Sequence, residues 1–181
     1  MRHSNRILIA LILFIFSSCA SKYSILSTNY EIEKININNK LAEIEIIDNR
    51  LDVTEREIHL PALSFPWQKD KISPVLTIEQ KKMIETQIQT YFSNIGKSVK
   101  VECEINQAYK EFTAHAFYER EFVQVGIKIK LLDENNNIIK YCTSTAFFEA
   151  KSFDATYDYI NKIYEKAIRT SIYKCFESLK E

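Results

Sequence analysis

Two periods alternate along this chain. In Leu41-Ala42-Glu43-Ile44-Glu45-Ile46-Ile47, apolar residues alternate with acids. A period of two marks a strand with one face buried. It ends at the turn-prone polar triplet Asp48-Asn49-Arg50. Alternation returns where Val99, Val101, Cys103 and Ile105 interleave with Lys100, Glu102 and Glu104. It appears again where Val123, Val125, Ile127, Ile129 and Leu131 interleave with Gln124, Gly126, Lys128 and Lys130. The run at 133–137, Asp-Glu-Asn-Asn-Asn, is a turn, and 138–149 is the return strand of that hairpin. The mixed aromatic stretch 112–119 starts a further strand, and another is expected near 31–37.

The helical period occurs twice. Thr77-Ile78-Glu79-Gln80 matches a capping box. Ile84, Ile88, Tyr91, Phe92 and Ile95 then share one face, and Gly96 supplies a left-handed stop. The second helix is expected over 154–179, with Asp154 as its N-cap. Its inner stripe is Tyr157, Ile160, Tyr164, Ile168, Ile172, Cys175, Phe176 and Leu179. At 1.5 Å per residue it is about 40 Å long, enough to cross a small sheet. Residues 51–76 fit neither period. A short strand at 55–60 is expected, then an ordered loop broken by Pro61, Pro66 and Pro74, with Phe65 and Trp67 covering an edge of the core. The order predicts an α+β domain: an antiparallel or mixed sheet of about four to five strands with two helices on one face, the C-terminal one long.

The first residues have another character. Met1-Arg2-His3-Ser4-Asn5-Arg6 carries two positive charges and no acid, an unbroken apolar run follows from Ile7 to Phe16, and Ser17-Ser18-Cys19-Ala20 closes it. This is the order of a secretory signal peptide. The apolar run is about half of the roughly 20 residues a spanning helix needs. Phe16-Ser17-Ser18-Cys19 resembles a lipobox, the processing site of bacterial lipoproteins, with Phe16 where leucine is commoner. The resemblance implies cleavage between Ser18 and Cys19 and a lipid on the Cys19 thiol. Cleavage after Ala20, at the small-x-small run Ser18-Cys19-Ala20, is the competing outcome and would release a soluble chain. The expected organisation is a signal peptide over 1–18, a lipidated cysteine and tether over 19–40, and one α+β domain over 41–181.

Removal of 1–18 leaves 163 residues, with 22 bases against 24 acids. That suffices for one domain with a core and offers no basic footprint for nucleic acid. Only two glycines are present, so glycine-rich phosphate loops are not expected. Besides Cys19 the cysteines are Cys103, Cys142 and Cys175, too far apart for a CxxC motif. Either all three are small buried hydrophobes, or an oxidising compartment allows one bridge, for which Cys103–Cys142 between neighbouring strands is the first choice.

Chemistry is sparse. His59 and His115 have no Cys, Asp or His at metal-ligand spacing, so neither a metal nor a cofactor is expected. Serine-hydrolase elbows, zinc-protease helices and phosphate-binding loops do not occur in the sequence. Glu55-Arg56-Glu57 and Glu119-Arg120-Glu121 pair carboxylates around an arginine, and they read as solvated, salt-bridging strand ends. Phe147, Phe148, Phe153, Tyr157, Tyr159, Tyr164 and Tyr173 concentrate in and before the last helix. Tyr159 and Tyr173 fall off its inner stripe and are the candidates for partner binding.

Ile44-Glu45-Ile46-Ile47-Asp48-Asn49-Arg50 and the stretch 123–179 resemble small envelope lipoproteins of Gram-negative bacteria, the YajG-like group in particular. LptE-like transporter-auxiliary lipoproteins are similar in pairing a sheet with helices. Both resemblances imply a non-catalytic role. The expectation is a binding or assembly module anchored by its lipid and facing the periplasm, holding an envelope protein, glycan or lipid. Ala20 in place of aspartate favours the outer membrane, by similarity to the enterobacterial sorting rule. The alternatives are an accessory of lipid or lipopolysaccharide transport, which needs an apolar cavity between sheet and helices, and an envelope hydrolase built on a carboxylate pair.

Overall fold

In a computed structural model, the structure describes residues 35–61, 65–152 and 155–180. Among the described residues there are six strands, β1 (Lys40–Asp48), β2 (Val53–Thr54), β3 (Lys69–Pro74), β4 (Ser98–Ala114), β5 (Glu119–Leu132) and β6 (Ile138–Ser152). The same residues hold two helices, α1 (Ile78–Gln89) and α2 (Tyr157–Leu179). The predicted α+β class holds, and the sheet is mixed, with six strands. β4, β5 and β6 form an antiparallel meander. On its other edge β4 carries two strands end to end. β1 pairs with it in parallel from Lys40↔Ser98 to Asp48↔Ile105, and β3 pairs antiparallel from Ile72↔Lys110 to Lys69↔Thr113. β2 adds a short parallel pairing to β3.

α2 lies across β5 and β6, and α1 packs on α2 and beside β1. The core between helices and sheet is Val101, Ile105, Phe112, Val123, Ile127 and Ile129 facing Ile160, Tyr164, Ile168, Ile172 and Phe176. Tyr91 and Phe92 close it against Phe176, at ring distances of 4.9 and 5.9 Å.

Local departures from expectation have identifiable causes. β4 continues unbroken through 112–114 because a bulge between Ile105 and Gln107 shifts its phase. Before the bulge the covered face takes Val99, Val101, Cys103 and Ile105, and after it Ala108, Phe112 and Ala114. One inserted residue reverses the alternation, which is why the period of two stops at Ile105 in the sequence.

Asp48-Asn49-Arg50 secures that bulge and is more than a turn. Asn49 N–H donates to Ile105 O at 3.0 Å, and Arg50 Nη1 donates to Ala108 O at 2.9 Å. Arg50 also clasps Asp48 through Nε (2.7 Å) and Nη2 (2.6 Å), with its side chain only 1% exposed. Burial pushes the Asp48 carboxyl up, but the hydrogen bonds and charge of Arg50 outweigh it, and Asp48 titrates below its ordinary value.

α1 begins as predicted. Thr77 Oγ1 accepts from Gln80 N–H, and Gln80 Oε1 accepts from Thr77 N–H. It stops at Gln89, before Tyr91 and Phe92, and Gly96 (φ 96°) instead turns tightly against Asn38, where a Cβ would lie 2.7 Å from its carbonyl oxygen. α2 starts at Tyr157, capped by Thr156 Oγ1. The expected cap Asp154 lies outside the described residues, and Tyr157 is exposed, off the inner stripe. In the proline-bounded region the strand is Lys69–Pro74, and 55–60 is irregular. Pro74 is tolerated because it is the last residue of β3, beyond the final pairing with β4 at Ile72↔Lys110, so its missing N–H removes no bond to β4. The expected strand at 31–37 falls mostly outside the described residues.

Candidate binding surface

The helices leave the second face of the sheet uncovered. On β4, β5 and β6 that face is built from cross-strand rows fixed by register. Tyr109, Gln124 and Phe147 form one row, Glu111, Phe122 and Glu149 the next, and Thr113, Arg120 and Lys151 the third. Phe122 lies 6.0 Å from Tyr109 and stacks with Phe147 at 6.2 Å. Phe147 is 66% exposed. Tyr109 Oη donates to Gln124 Oε1 (3.0 Å), and Gln124 Nε2 donates to Gln107 Oε1 (2.6 Å), an amide relay alongside the rings.

Cations sit on the aromatic faces: Lys71 Nζ 3.6 Å from the Tyr109 centroid, Arg120 over Phe122 at 5.1 Å, and Lys151 over Tyr118 at 5.1 Å. These distances are within the roughly 6 Å reach of a cation–π contact. Arg120 also pairs with Glu149 at 3.1 Å. Pairs of this kind stabilise a sheet by a few tenths to about 1 kcal/mol each. The exposed area of Phe147 gains nothing from them.

The surface runs on to the end of the sheet where β4 turns into β5. His115 stacks on Tyr118 at 4.5 Å, and Trp67 meets His115 edge-on at 6.2 Å. Trp67 N–H donates to Ala114 O, and Ala114 N–H donates to Gln68 O, so the loop before β3 is laced to this end. Phe65, Trp67 and Phe117 are 67%, 79% and 86% exposed. Phe65 and Trp67 thus do not cover a core edge. Trp67 also has φ 74°, which costs a bulky residue on the order of 1–3 kcal/mol.

Of the residues singled out from sequence, Ser18 and Cys19 lie outside the described residues, as does Phe153. The bridge is not Cys103–Cys142. Cys142 of β6 is bonded to Cys175 of α2, Cα–Cα 5.4 Å, and Cys103 is free and buried. The register explains the difference: Cys103 pairs with Ile129, and Ile129 with Cys142. Two strand spacings, about 9.6 Å, exceed the Cα–Cα span of about 4.4–6.8 Å that a disulfide accepts. Burial pushes the Cys103 thiol up to about 12, with Glu104 adding to it, so it is not a nucleophile at neutral pH.

Tyr159 and Tyr173 are half-buried against the core, and Tyr173 Oη donates to Glu177 Oε1 at 3.2 Å. The aromatic residues with the largest exposure lie elsewhere, Phe147 on the uncovered sheet face and Phe65, Trp67 and Phe117 at its end.

The triplets separate. Arg56 reaches Asp70 through Nη1 (2.6 Å) and Nη2 (2.9 Å), and its hydrogen bonds bring the Asp70 carboxyl down to about 2 against its own partial burial. Glu119 and Glu121, expected to be solvated, are buried at the end of the covered face. Ser152 Oγ donates to Glu121 Oε1, and Ala155 N–H to Glu119 Oε2, each at 2.5 Å. Burial pushes the Glu121 carboxyl up, the bond from Ser152 opposing and the nearby Glu119 reinforcing. Among the described residues no three His, Cys, Asp or Glu converge to hold a metal, and no helix is long and apolar enough to cross a membrane.

No family model matches the sequence, and neither does any curated protein. Solved structures that match include a minor lipoprotein from Acinetobacter baumannii (13% identity, TM-score 0.39, covering 80% of this chain and 89% of that one). A candidate lipoprotein from Caulobacter crescentus matches at 10% identity and TM-score 0.36, covering 59% and 82%. A homolog of the neuraminyllactose-binding hemagglutinin from Helicobacter pylori matches at 8% identity and TM-score 0.37, covering 81% and 87%.

Proposed function

We propose that this chain is a non-catalytic binding or assembly module of the bacterial envelope. It is exported by residues 1–18, held through a lipid on Cys19 in the outer membrane, and faces the periplasm. The observation that carries the binding role is the continuous aromatic and cationic surface from Phe147 to Trp67, left open by the helices. Aromatic and arginine side chains give large contact area and strong bonds at little ordering cost, which is why they concentrate at interfaces. The Cys142–Cys175 bridge supports export, because such bonds persist in oxidising compartments. A lipid-carrying role needs an apolar cavity between sheet and helices. Among the described residues that layer is filled by Ile127, Ile168, Ile172 and Phe176.

Two measurements test the reading. Intact mass of the chain purified from its own membranes is expected to show loss of residues 1–18 and acyl chains on Cys19. A Cys19→Ser chain that still fractionates with membranes rules the anchor out. A photo-crosslinker at Phe147 in the anchored chain is expected to capture one envelope component, with capture lost in Phe122→Ser. Recovery of none removes the binding role from this face.

A further inference from the structure

Among the described residues β1 has a hydrogen-bonded neighbour on one side only, β4. A strand paired on one side directs its other backbone N–H and C=O groups outward, where they template a further strand. Beside that edge lies a cleft of about 510 Å³ lined by Leu41, Ala42, Glu43 and Ile44 of β1, Glu85 and Gln89 of α1, and Asn94. β1 has a bulge between Leu41 and Glu43, with Leu41 and Ile44 half-buried and Ala42 and Glu43 exposed, so the cleft meets both side-chain directions and abuts the edge of β1. Glu85 and Gln89 stand one helical turn apart and make the opposite wall. The parallel bridge between Ile37 and Phe92 holds the chain on its way into β1.

The charge of the cleft selects the occupant. Glu43 and Glu85 line it, and Glu45 follows on the same exposed strand. Glu43 shares one oxygen with Lys100 at 3.1 Å and is otherwise 59% exposed. A second copy pairing antiparallel through β1, centred on Ile44, would set Glu43 against Glu45 twice, and like charges directly opposite destabilise a sheet. A basic strand meets the reverse situation.

We propose that this cleft is a strand-docking groove, which takes an extended lysine- or arginine-bearing segment of a partner protein as an added strand on β1. Backbone pairing would supply affinity, and Glu43 and Glu85 would supply selection. The groove stands apart from the aromatic face and does not depend on it.

The test titrates the full chain in detergent micelles with a fluorescent nonapeptide of alternating lysine and valine, read by anisotropy. Binding is expected, with none for the glutamate–valine counterpart. Glu85→Lys, at an exposed site, should weaken binding about tenfold. N-methylating every second amide should abolish binding for one of the two amide sets and spare the other, because only one edge pairs. Absence of binding overturns the proposal, as does binding indifferent to either methylation set or to Glu85→Lys. Binding gained only on deletion of residues 20–34 would assign the groove to the chain's own segment and overturn it too. So would a dimer of the unaltered chain that tightens in Glu43→Lys, because a lysine set against Glu45 would place that dimer on β1.

Discussion

The two faces of β4, β5 and β6 are made by the same strands and differ in what they are made of. The helix-covered face is Val, Ile, Ala and Cys packed against α2, with hardly a gap in its apolar character until Glu119 and Glu121. The uncovered face pairs Lys130 with Glu102 and Glu104 near one end, and gathers Tyr109, Phe122 and Phe147 with Lys71 and Arg120 toward the other. One half of the open face is therefore aromatic, and the other is paired charge.

The largest test of this contrast is Phe176→Ala. The ring is fully buried against Tyr91 and Phe92, and its loss should cost about 3–5 kcal/mol in denaturant unfolding. Close behind is the double variant Cys142→Ala with Cys175→Ala. The bridge closes a separation of 33 residues, for which about 3–4 kcal/mol is expected, measured against the oxidised chain in the same titration.

Smaller, and opposite in sign, is Glu121→Gln. The folded carboxyl titrates above its ordinary 4.5, so the folded state binds more protons than the unfolded one above that value. Its burial therefore lowers stability as pH rises from about 4.5 through the folded pKa. The amide removes that penalty, a gain on the order of 1 kcal/mol at pH 7, vanishing below pH 4. A variant less stable at pH 7 would show that the carboxylate is well satisfied. Least of all in stability is Phe147→Ser, at an exposed site, expected within about 0.5 kcal/mol. If it unfolds the chain instead, the open face is structural and the contrast fails.

Much of the covered face was legible in the sequence, because a period of two writes core positions directly: Val99 to Ile105 and Val123 to Leu131 are buried as read. The capping box at Thr77 was equally plain, since both its bonds are local. What escaped depended on distant partners. Lys69–Pro74 is charged and ends in proline, and it becomes a strand only because β4 is long enough to offer a second edge. Arg50 looked like a turn residue, and its burial depends on the carbonyl of Ala108 at a bulge no local pattern announces. Cys175 could be matched to Cys142 only once α2 was known to cross β6. Helical spacing singles out Tyr159 and Tyr173 on α2, whereas no local pattern singles out Phe147, which only the strand register places in line with Tyr109.

The shared edge of β4 also sets an order of assembly. The β4–β5–β6 meander joins neighbours in sequence, whereas Lys40 must find Ser98 across 58 positions. Loop closure makes such distant parallel pairing slow. β1 should therefore be the last strand to gain protection in pulse-labelled hydrogen exchange. Until then the folding chain would carry a finished meander and an unclaimed stretch of edge on β4, its most exposed moment to mispairing.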